Sequence, residues 1–393
     1  MEHTNDTNDR NALGSALSRN WVATVAVIWC GQAASVLATC AASFAALWYI
    51  TESTASPLWL SLASAAALLP AALLSPLGGV AADRFKRKYI MIIADGAAGA
   101  LSLAFALVIC AGQASILLML LILVARASAQ AFHSPAFSAL MPSLVPERHL
   151  VRINSMDQAV TSLSSIAGPA LGILLYNLVG LGGVMVLDAA CAAFACLCLG
   201  IARVSPQATG TAASSTVLGD LREGITVIMR DAGLRNLMLL VMATMLLFMP
   251  AGSLTPLMTY QHFGGDGWQA SIAEATFSAG LLVGSAFMAV WGGGKRRVAV
   301  LVVSGVALGA AIAGCGLLAP GMFPAFAALM GIAAAAMGCF NAPLLAILQT
   351  RAPASARSPR VRHQTSTASR SGRASRRRGP WRAGSGFARR QRA

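Results

Sequence analysis

The stretch GVAADRFKRK, residues 79–88, lies between two long apolar runs, 58–82 and 89–112. It begins with a glycine, continues with an acid one helical turn later and ends in a cluster of cations. A glycine lets two helices approach closely, and cations stabilise a tight turn by pairing with helix ends. Each flanking run reaches the roughly 20 apolar residues that a helix needs to cross a bilayer core. The stretch therefore predicts a short loop between two antiparallel membrane helices.

The composition of the whole chain favours a membrane protein. Of its 393 residues, 56% are hydrophobic and 11% are charged, and the mean hydropathy is +0.67. In a soluble domain, by contrast, about a quarter of the residues are charged. So few charges could not cover a water-soluble surface of this size, which excludes a soluble globular protein.

The net charge of +15 is concentrated at the C-terminal end. Residues 351–393 contain 13 arginines and no acid, which leaves a net charge of +2 for residues 1–350. This tail is of low complexity, so we expect it to be cytoplasmic and disordered, with a charge that suits anionic lipid headgroups. No pattern of stacking aromatic residues accompanies the arginines, and we expect no nucleic-acid partner.

Ten apolar stretches, called spans one to ten, are long enough for a membrane helix. They cover residues 22–50, 58–82, 89–112, 115–140, 157–179, 181–202, 237–260, 269–291, 298–319 and 324–350. Lys and Arg stay on the cytoplasmic side during insertion. The basic residues between spans all follow even-numbered spans, at Arg84, Lys86, Arg87, Lys88, Arg148, Arg152, Arg203, Arg222, Arg230, Arg235, Lys295, Arg296 and Arg297. We therefore predict a multi-pass protein of the plasma (inner) membrane with both termini in the cytoplasm.

A polar cytoplasmic linker at residues 203–236 divides the chain. We predict a cytoplasmic N-terminal segment at 1–21, a first half of six helices at 22–202 and a second half of four helices at 237–350. The basic residues at 86–88 recur at 295–297, and Phe132 with Pro135 recurs as Phe340 with Pro343, at offsets of 209 and 208. The shared offset argues for two homologous helical halves.

The quoted stretch resembles the signature loop of the major facilitator superfamily. The matching residues are Gly79, Asp83, Arg84, Arg87 and Lys88, with Lys86 in place of a second glycine. A further stretch, FHSPAFSALMPSLVPE at 132–147, resembles the end of helix four in the macrolide-efflux and enterobactin-exporter branch of that superfamily. The resemblance covers about residues 18–353. It implies an all-α membrane protein, a major-facilitator-type helical bundle with two homologous halves and about ten of the usual twelve transmembrane helices.

The same resemblance implies a function and exposes a gap. Members of this branch export amphiphilic compounds, such as drugs or siderophore-like molecules, usually against an inward proton gradient, so we expect a proton-coupled antiporter. By the internal offset, spans five and six would return at about residues 366–411, where the arginine-rich tail lies instead. We hypothesise that the chain is truncated or frameshifted after about residue 353. A non-functional transporter relic is therefore one alternative reading.

Span five contains Gly168-Pro169-Ala-Leu-Gly172. Proline removes an internal hydrogen bond and small neighbours let a partner helix come close, so the segment can bend or pack tightly. It is similar to the Gly-Pro motif of superfamily antiporters, in which these residues are thought to control leak between the halves. Ordinary small-residue packing explains it equally well.

Four charged residues fall inside the predicted spans, where each costs a few kcal/mol unless it is paired or hydrated. They are Asp95, Arg126, Asp188 and Glu274, our candidates for proton and substrate coupling. At 1.5 Å per residue, Arg126 lies near the midplane, where Asp188 and Glu274 are within its reach. We assign proton exchange to Asp95 and Glu274, and to Arg126 the binding of an acid or an anionic substrate. Alternatively, Asp95 pairs with the Arg84 or Arg87 cation, and Asp188 is hydrogen-bonded on a peripheral helix.

Helices one, four, seven and ten line the transport cavity in this superfamily. The resemblance therefore assigns to the cavity wall Trp29, Gln32, Phe132, Met249 and Phe340. Thioethers and aromatic rings suit a large apolar or amphiphilic guest without fixing its identity. The same residue types also pack ordinary helix interfaces.

The sequence gives no sign of an enzyme or of an ATP-driven pump. Its five histidines are scattered, it has no nucleotide-binding loop, and its eight cysteines lie in apolar runs without metal-ligand spacing. We expect a monomer without cofactor or metal that takes its energy from an ion gradient and acts on a small-molecule substrate. A facilitator or importer is a further alternative.

Overall fold

A computed structural model of the protein describes residues 21–113, 115–146, 149–202, 226, 229, 232–291 and 297–351. These ranges are almost entirely α-helical. Nearly all of the predicted N-terminal segment 1–21, most of the linker 203–236 and the tail beyond Arg351 lie outside the described residues, so their assignments stay predictions.

The described helices follow the order of the predicted spans. They are α1 (Trp21–Thr54), α2 (Pro57–Arg84), α3 (Arg87–Cys110), α4 (Ile116–Leu144), α5 (Leu150–Ile201), α6 (Ala232–Ser253), α7 (Thr255–Gln261), α8 (Gly267–Trp291), α9 (Arg297–Gly316) and α10 (Phe323–Arg351). Helices α1 to α4 correspond to spans one to four, and α8 to α10 correspond to spans eight to ten. Span seven is occupied by α6 and the short α7.

Helix α5 holds both span five and span six. Its 52 residues would extend about 78 Å as one straight helix, more than twice the thickness of a bilayer core. The helix is broken at Gly180, where φ is 67° and ψ is 175°. Glycine adopts a positive φ without the steric cost that a side chain adds. The break separates a first arm, 150–179, from a second arm, 181–201.

Eight of the described helices are long and apolar enough to cross a membrane, namely α1 to α5 and α8 to α10. Among these, α5 counts once although its length fits two crossings. Helix α6 lies at span seven but is not one of the eight. The sequence predicts ten spans, whereas eight of the described helices are long and apolar enough to cross a membrane.

The first half is held together by close contacts between neighbouring helices. Helix α1 packs against α5, α2 packs against α4, and α3 packs against both α4 and α5. The Gly-Pro motif lies in the contact between α1 and α5. A Cβ atom at Gly172 would overlap the Ala41 carbonyl oxygen, and one at Gly168 would overlap the Cys40 side chain. The absence of side chains at these two positions lets the helices touch through their backbones.

The contact between α2 and α4 depends on Gly78 and not on Gly79. A Cβ atom at Gly78 would overlap the Ala131 carbonyl oxygen, whereas one at Gly79 would meet no described atom within 4 Å. The expectation that Gly79 provides the close approach between two helices is wrong for the described part of the chain. Adjacent residues of a helix point about 100° apart, so a shift of one position moves the glycine away from α4.

The second half shows the same use of small residues between α8 and α10. A Cβ atom at Gly284 would overlap the Ala335 carbonyl oxygen, and one at Gly280 would overlap the Gly331 carbonyl oxygen. Spans eight and ten are the counterparts of spans two and four under the internal offset. The contact between α8 and α10 therefore corresponds to the contact between α2 and α4.

The two neighbouring glycines of α2 make a direct test of this packing. Gly78→Ala should destabilise the protein by about 1–3 kcal/mol, because the new methyl group forces the helices apart. Gly79→Ala should leave stability unchanged or raise it slightly, since alanine is the better helix former. The measurement is the unfolding temperature of each purified variant in detergent. Equal unfolding temperatures for the two variants would contradict the assigned contact.

Candidate functional site

The cations of the signature loop bind helix ends, as the sequence led us to expect. The Arg87 guanidinium donates to the Ala82 carbonyl of α2 at 3.2 Å and to the Ala139 carbonyl of α4 at 2.7 Å. The Lys88 ammonium donates to the carbonyls of Gly200 and Ala202 at 2.9 and 2.8 Å. Exposed carbonyl groups at a helix C-terminus carry partial negative charge, which a cation stabilises. The loop thereby joins α2 to α4 and α3 to the end of α5.

The acidic part of the loop is arranged differently. Asp83 and Arg84 are exposed at the end of α2. Within the described residues neither side chain has a hydrogen-bond or ion-pair partner. The contacts of the signature loop are thus made by its last two cations.

Arg126, which the sequence predicts to lie near the membrane midplane, forms an ion pair with Asp188. The Asp188 carboxylate also accepts a hydrogen bond from the Thr39 hydroxyl at 3.0 Å and one from the Ser102 hydroxyl at 2.7 Å. The Arg126 guanidinium contacts Ser102 as well. We call these four residues the outer polar cluster. Asp188 is 3% exposed, and its hydrogen bonds come from α1, α3 and α4, so one carboxylate connects four helices.

A second group, the inner polar cluster, surrounds Asp95 of α3. The Gln32 side-chain amide donates to Asp95 Oδ2 at 2.9 Å. His133 Nε2 lies 3.4 Å from Asp95 Oδ1 and has no hydrogen-bond partner among the described residues. Asp95 therefore does not pair with Arg84 or Arg87, and that alternative is wrong. The guanidinium of Arg87 is occupied by helix ends, and Asp95 is buried between α1 and α4.

Glu274 is separate from both clusters. It lies on α8 and is half-buried. Within the described part of the chain it has no hydrogen-bond or ion-pair partner, and Arg126 is paired with Asp188 instead. By predicted depth, Asp188 and Glu274 were both within reach of Arg126. In the described residues Arg126 pairs with Asp188 and not with Glu274.

The residues assigned to the cavity wall have different surroundings. Phe340 is 1% exposed and packs against α9 beside Gly305, so it does not line an open cavity. Gln32 is buried and held by Asp95. Trp29 and Phe132 are half-buried, and the Trp29 indole nitrogen has no partner among the described residues. The side chain of Met249 lies outside the described residues.

A small cavity lies beside Arg126. Its walls include Ser43, Phe105, Met119 and Met185, and it has room for about a single water molecule. Apart from Arg126 and Ser43 its lining is apolar. The cavity is too small for a drug-sized molecule in this conformation.

Sequence reasoning named Gln32, Asp95, Arg126 and Asp188 in these two clusters but missed Thr39, Ser102 and His133. A usable signal was present, because each of the three lies seven residues from a residue already named. Thr39 follows Gln32, Ser102 follows Asp95 and His133 follows Arg126 at this spacing. Seven residues are close to two helical turns, so polar residues at that spacing share a helix face.

Comparisons with known proteins place the chain among transporters. Residues 28–368 match the Major Facilitator Superfamily. Macrolide efflux protein A of Streptococcus pyogenes is 31% identical over 318 residues, which are 80% of this chain and 78% of that protein. The protein of the same name from Enterococcus faecalis is 30% identical over 269 residues, which are 67% of this chain and 83% of that one.

Among solved structures, a mutant of the nucleoside transporter NupG matches the fold. The TM-score is 0.64 at 15% sequence identity, and the match covers 84% of this chain and 85% of that chain. At this identity the likeness concerns the fold alone.

The ion pair of the outer polar cluster can be tested by a double-mutant cycle. Asp188→Asn leaves the buried Arg126 charge without its counterion and should destabilise the protein by about 3–5 kcal/mol. Combining it with Arg126→Gln removes both charges and should restore part of that loss. The measurement is unfolding of the purified variants in detergent. Strictly additive effects of the two substitutions would contradict direct pairing.

Proposed function

The chain belongs to the major facilitator superfamily, and from this premise we propose that it exports amphiphilic drug-like molecules across the plasma (inner) membrane. The observation that carries the proposal is the 31% identity to a macrolide efflux protein over 80% of the chain. By this likeness the substrate class is a macrolide or a molecule of similar character. The protein is a multi-pass membrane protein that acts as a transporter and not as an enzyme.

The energy for export comes, in this proposal, from protons that move inward in exchange for substrate. The coupling candidates are Asp95, Arg126, Asp188 and Glu274. An ionised carboxylate is costly inside a membrane unless donors or cations satisfy it. Burial of Asp95 and Asp188 between apolar helices supports a role in which their charge matters to the transport cycle, since such residues are rarely kept in a membrane span without function.

The proposal includes the placement of the chain in the membrane. The cationic loop between α2 and α3 faces the cytoplasm, as do both termini, because Lys and Arg are retained on that side. The arginines beyond residue 351 lie near anionic lipid headgroups. The transporter acts as a monomer, with its substrate and protons as partners.

Export can be measured in an efflux-deficient bacterial host that expresses the full chain. Cells with the protein should accumulate less radiolabelled erythromycin than cells with an empty vector, and collapse of the proton gradient should abolish the difference. Arg126→Gln should lose export, because the buried Asp188 carboxylate then lacks its cation. Arg152→Gln is the matched control, since Arg152 is exposed at the cytoplasmic end of α5.

The same experiment separates the rival functions. Uptake that persists when the gradient is collapsed would favour a facilitator or importer over a coupled exporter. A version lengthened by two C-terminal helices tests the relic hypothesis. Export by the lengthened version alone would support an inactive truncated product, and equal export by both would contradict it.

A further inference from the structure

The two polar clusters of the first half repeat the same arrangement at two depths. Helix α1 contributes Gln32 to the inner cluster and Thr39 to the outer one. Helix α3 contributes Asp95 and Ser102, and α4 contributes His133 and Arg126. In all three helices the two residues are seven positions apart, which corresponds to about 10 Å along the helix axis. The clusters therefore form two parallel polar layers across the same bundle.

The layers differ in their fixed charge. In the outer cluster the Asp188 carboxylate is neutralised by Arg126, a guanidinium that stays protonated at any physiological pH. In the inner cluster the Asp95 carboxylate has the Gln32 amide, which carries no charge, and the imidazole of His133. The inner layer thus becomes neutral only when a proton is present, whereas the outer layer is always neutral.

Among the residues that the structure describes, the other groups around Asp95 do not supply a permanent cation. From α5, the Cys196 thiol lies 3.5 Å from the Ile92 carbonyl oxygen, one turn before Asp95. The charged side chains of α2 nearest the loop, Asp83 and Arg84, are exposed at the end of that helix and do not pair with Asp95 in the described structure. Arg87 and Lys88, at the start of α3, are bound to carbonyl groups of helix ends.

The apolar surroundings of Asp95 raise the cost of a carboxylate that has no permanent cation beside it. The side chains of His133 and Asp95 are 9% and 10% exposed, and the ring of Phe137 stacks on His133 with centroids 6.1 Å apart. Histidine is the side chain that gains and loses a proton near neutral pH. A proton on the imidazole gives an ion pair with Asp95, and a proton on the carboxyl gives a neutral acid. Either state is less costly in this environment than a lone carboxylate.

We propose that Asp95 and His133 together bind the coupled proton, that Gln32 orients the Asp95 carboxylate, and that the Arg126–Asp188 pair is a permanent structural ion pair that does not exchange protons. This inference rests on the proposed proton-coupled export, and it selects one of the four coupling candidates and adds His133. Proton binding forms an O–H bond at Asp95 with the His133 imidazole as its neighbour, and release toward the cytoplasm breaks that bond and restores the carboxylate. The inner layer is the one closer to the cytoplasm by the predicted orientation, which suits release on that side.

The first test needs no transport. Infrared difference spectra of the purified full chain in detergent, recorded between mildly alkaline and mildly acidic pH, should show the C=O stretch of a protonated buried carboxylic acid. Asp95→Asn should remove this band. His133→Gln should keep the band but change the pH range in which it appears, because the imidazole beside the carboxylate is lost. His262→Gln is the matched control, since His262 is exposed and bound to the Leu318 carbonyl oxygen. An unchanged band in Asp95→Asn, or an unmoved one in His133→Gln, would overturn the inference.

The second test separates this inference from the proposed function. In proteoliposomes, equilibrium exchange of radiolabelled erythromycin requires binding and the conformational cycle, whereas accumulation driven by a pH gradient also requires proton coupling. Asp95→Asn and His133→Gln should retain exchange and lose driven accumulation, and His262→Gln should retain both. Driven accumulation at the level of the unmodified chain in either inner-cluster variant would overturn the proton site. If the unmodified chain shows no exchange at all, the export proposal fails, and the infrared result then decides the proton site alone.

Discussion

The first half of the protein depends on the rule that a charge inside a membrane must be satisfied by the protein itself. Asp188 meets this requirement with donors from α1, α3 and α4. Because each donor lies on a different helix, the carboxylate fixes the register of all three helices relative to α5. A shift of one helix by a single turn, about 5.4 Å, would remove that helix's donor from the carboxylate. Packing of small residues then determines how closely the helices approach.

The loop between α2 and α3 applies the same rule at the helix ends. Arg87 binds carbonyl groups of α2 and α4, and Lys88 binds the end of α5. Both side chains replace water as partners of helix C-termini, where four carbonyl groups lack an intrahelical donor. The loop and the outer polar cluster therefore connect the same bundle at two levels, one at the surface and one near the midplane.

The sequence was sufficient to predict the helices, because long apolar stretches and basic loops have direct physical causes in the bilayer. Depth counting also brought Arg126 within reach of Asp188. It could not choose between Asp188 and Glu274, since that choice depends on which helix faces α4. The signature-loop motif likewise predicted the close helix approach at Gly79, whereas the structure has it at Gly78, because the rotation of a helix is set by its packing. His133 was overlooked because its seven-residue spacing from Arg126 shows only that the two residues share a helix face, and not which residue of another helix His133 meets.

The difference between the two polar layers has a consequence for a protein that must change conformation. An ion pair whose carboxylate has three donors needs no added proton to be neutral, so the outer layer can hold α1, α3, α4 and α5 together. The inner layer has fewer donors, and His133 Nε2 has no hydrogen bond in the described structure. Its stability depends on whether a proton is bound. Under the proposed proton site, a proton at the inner layer changes the energy of one end of the bundle and leaves the outer layer unchanged, and a proton gradient acts on helix positions in this way.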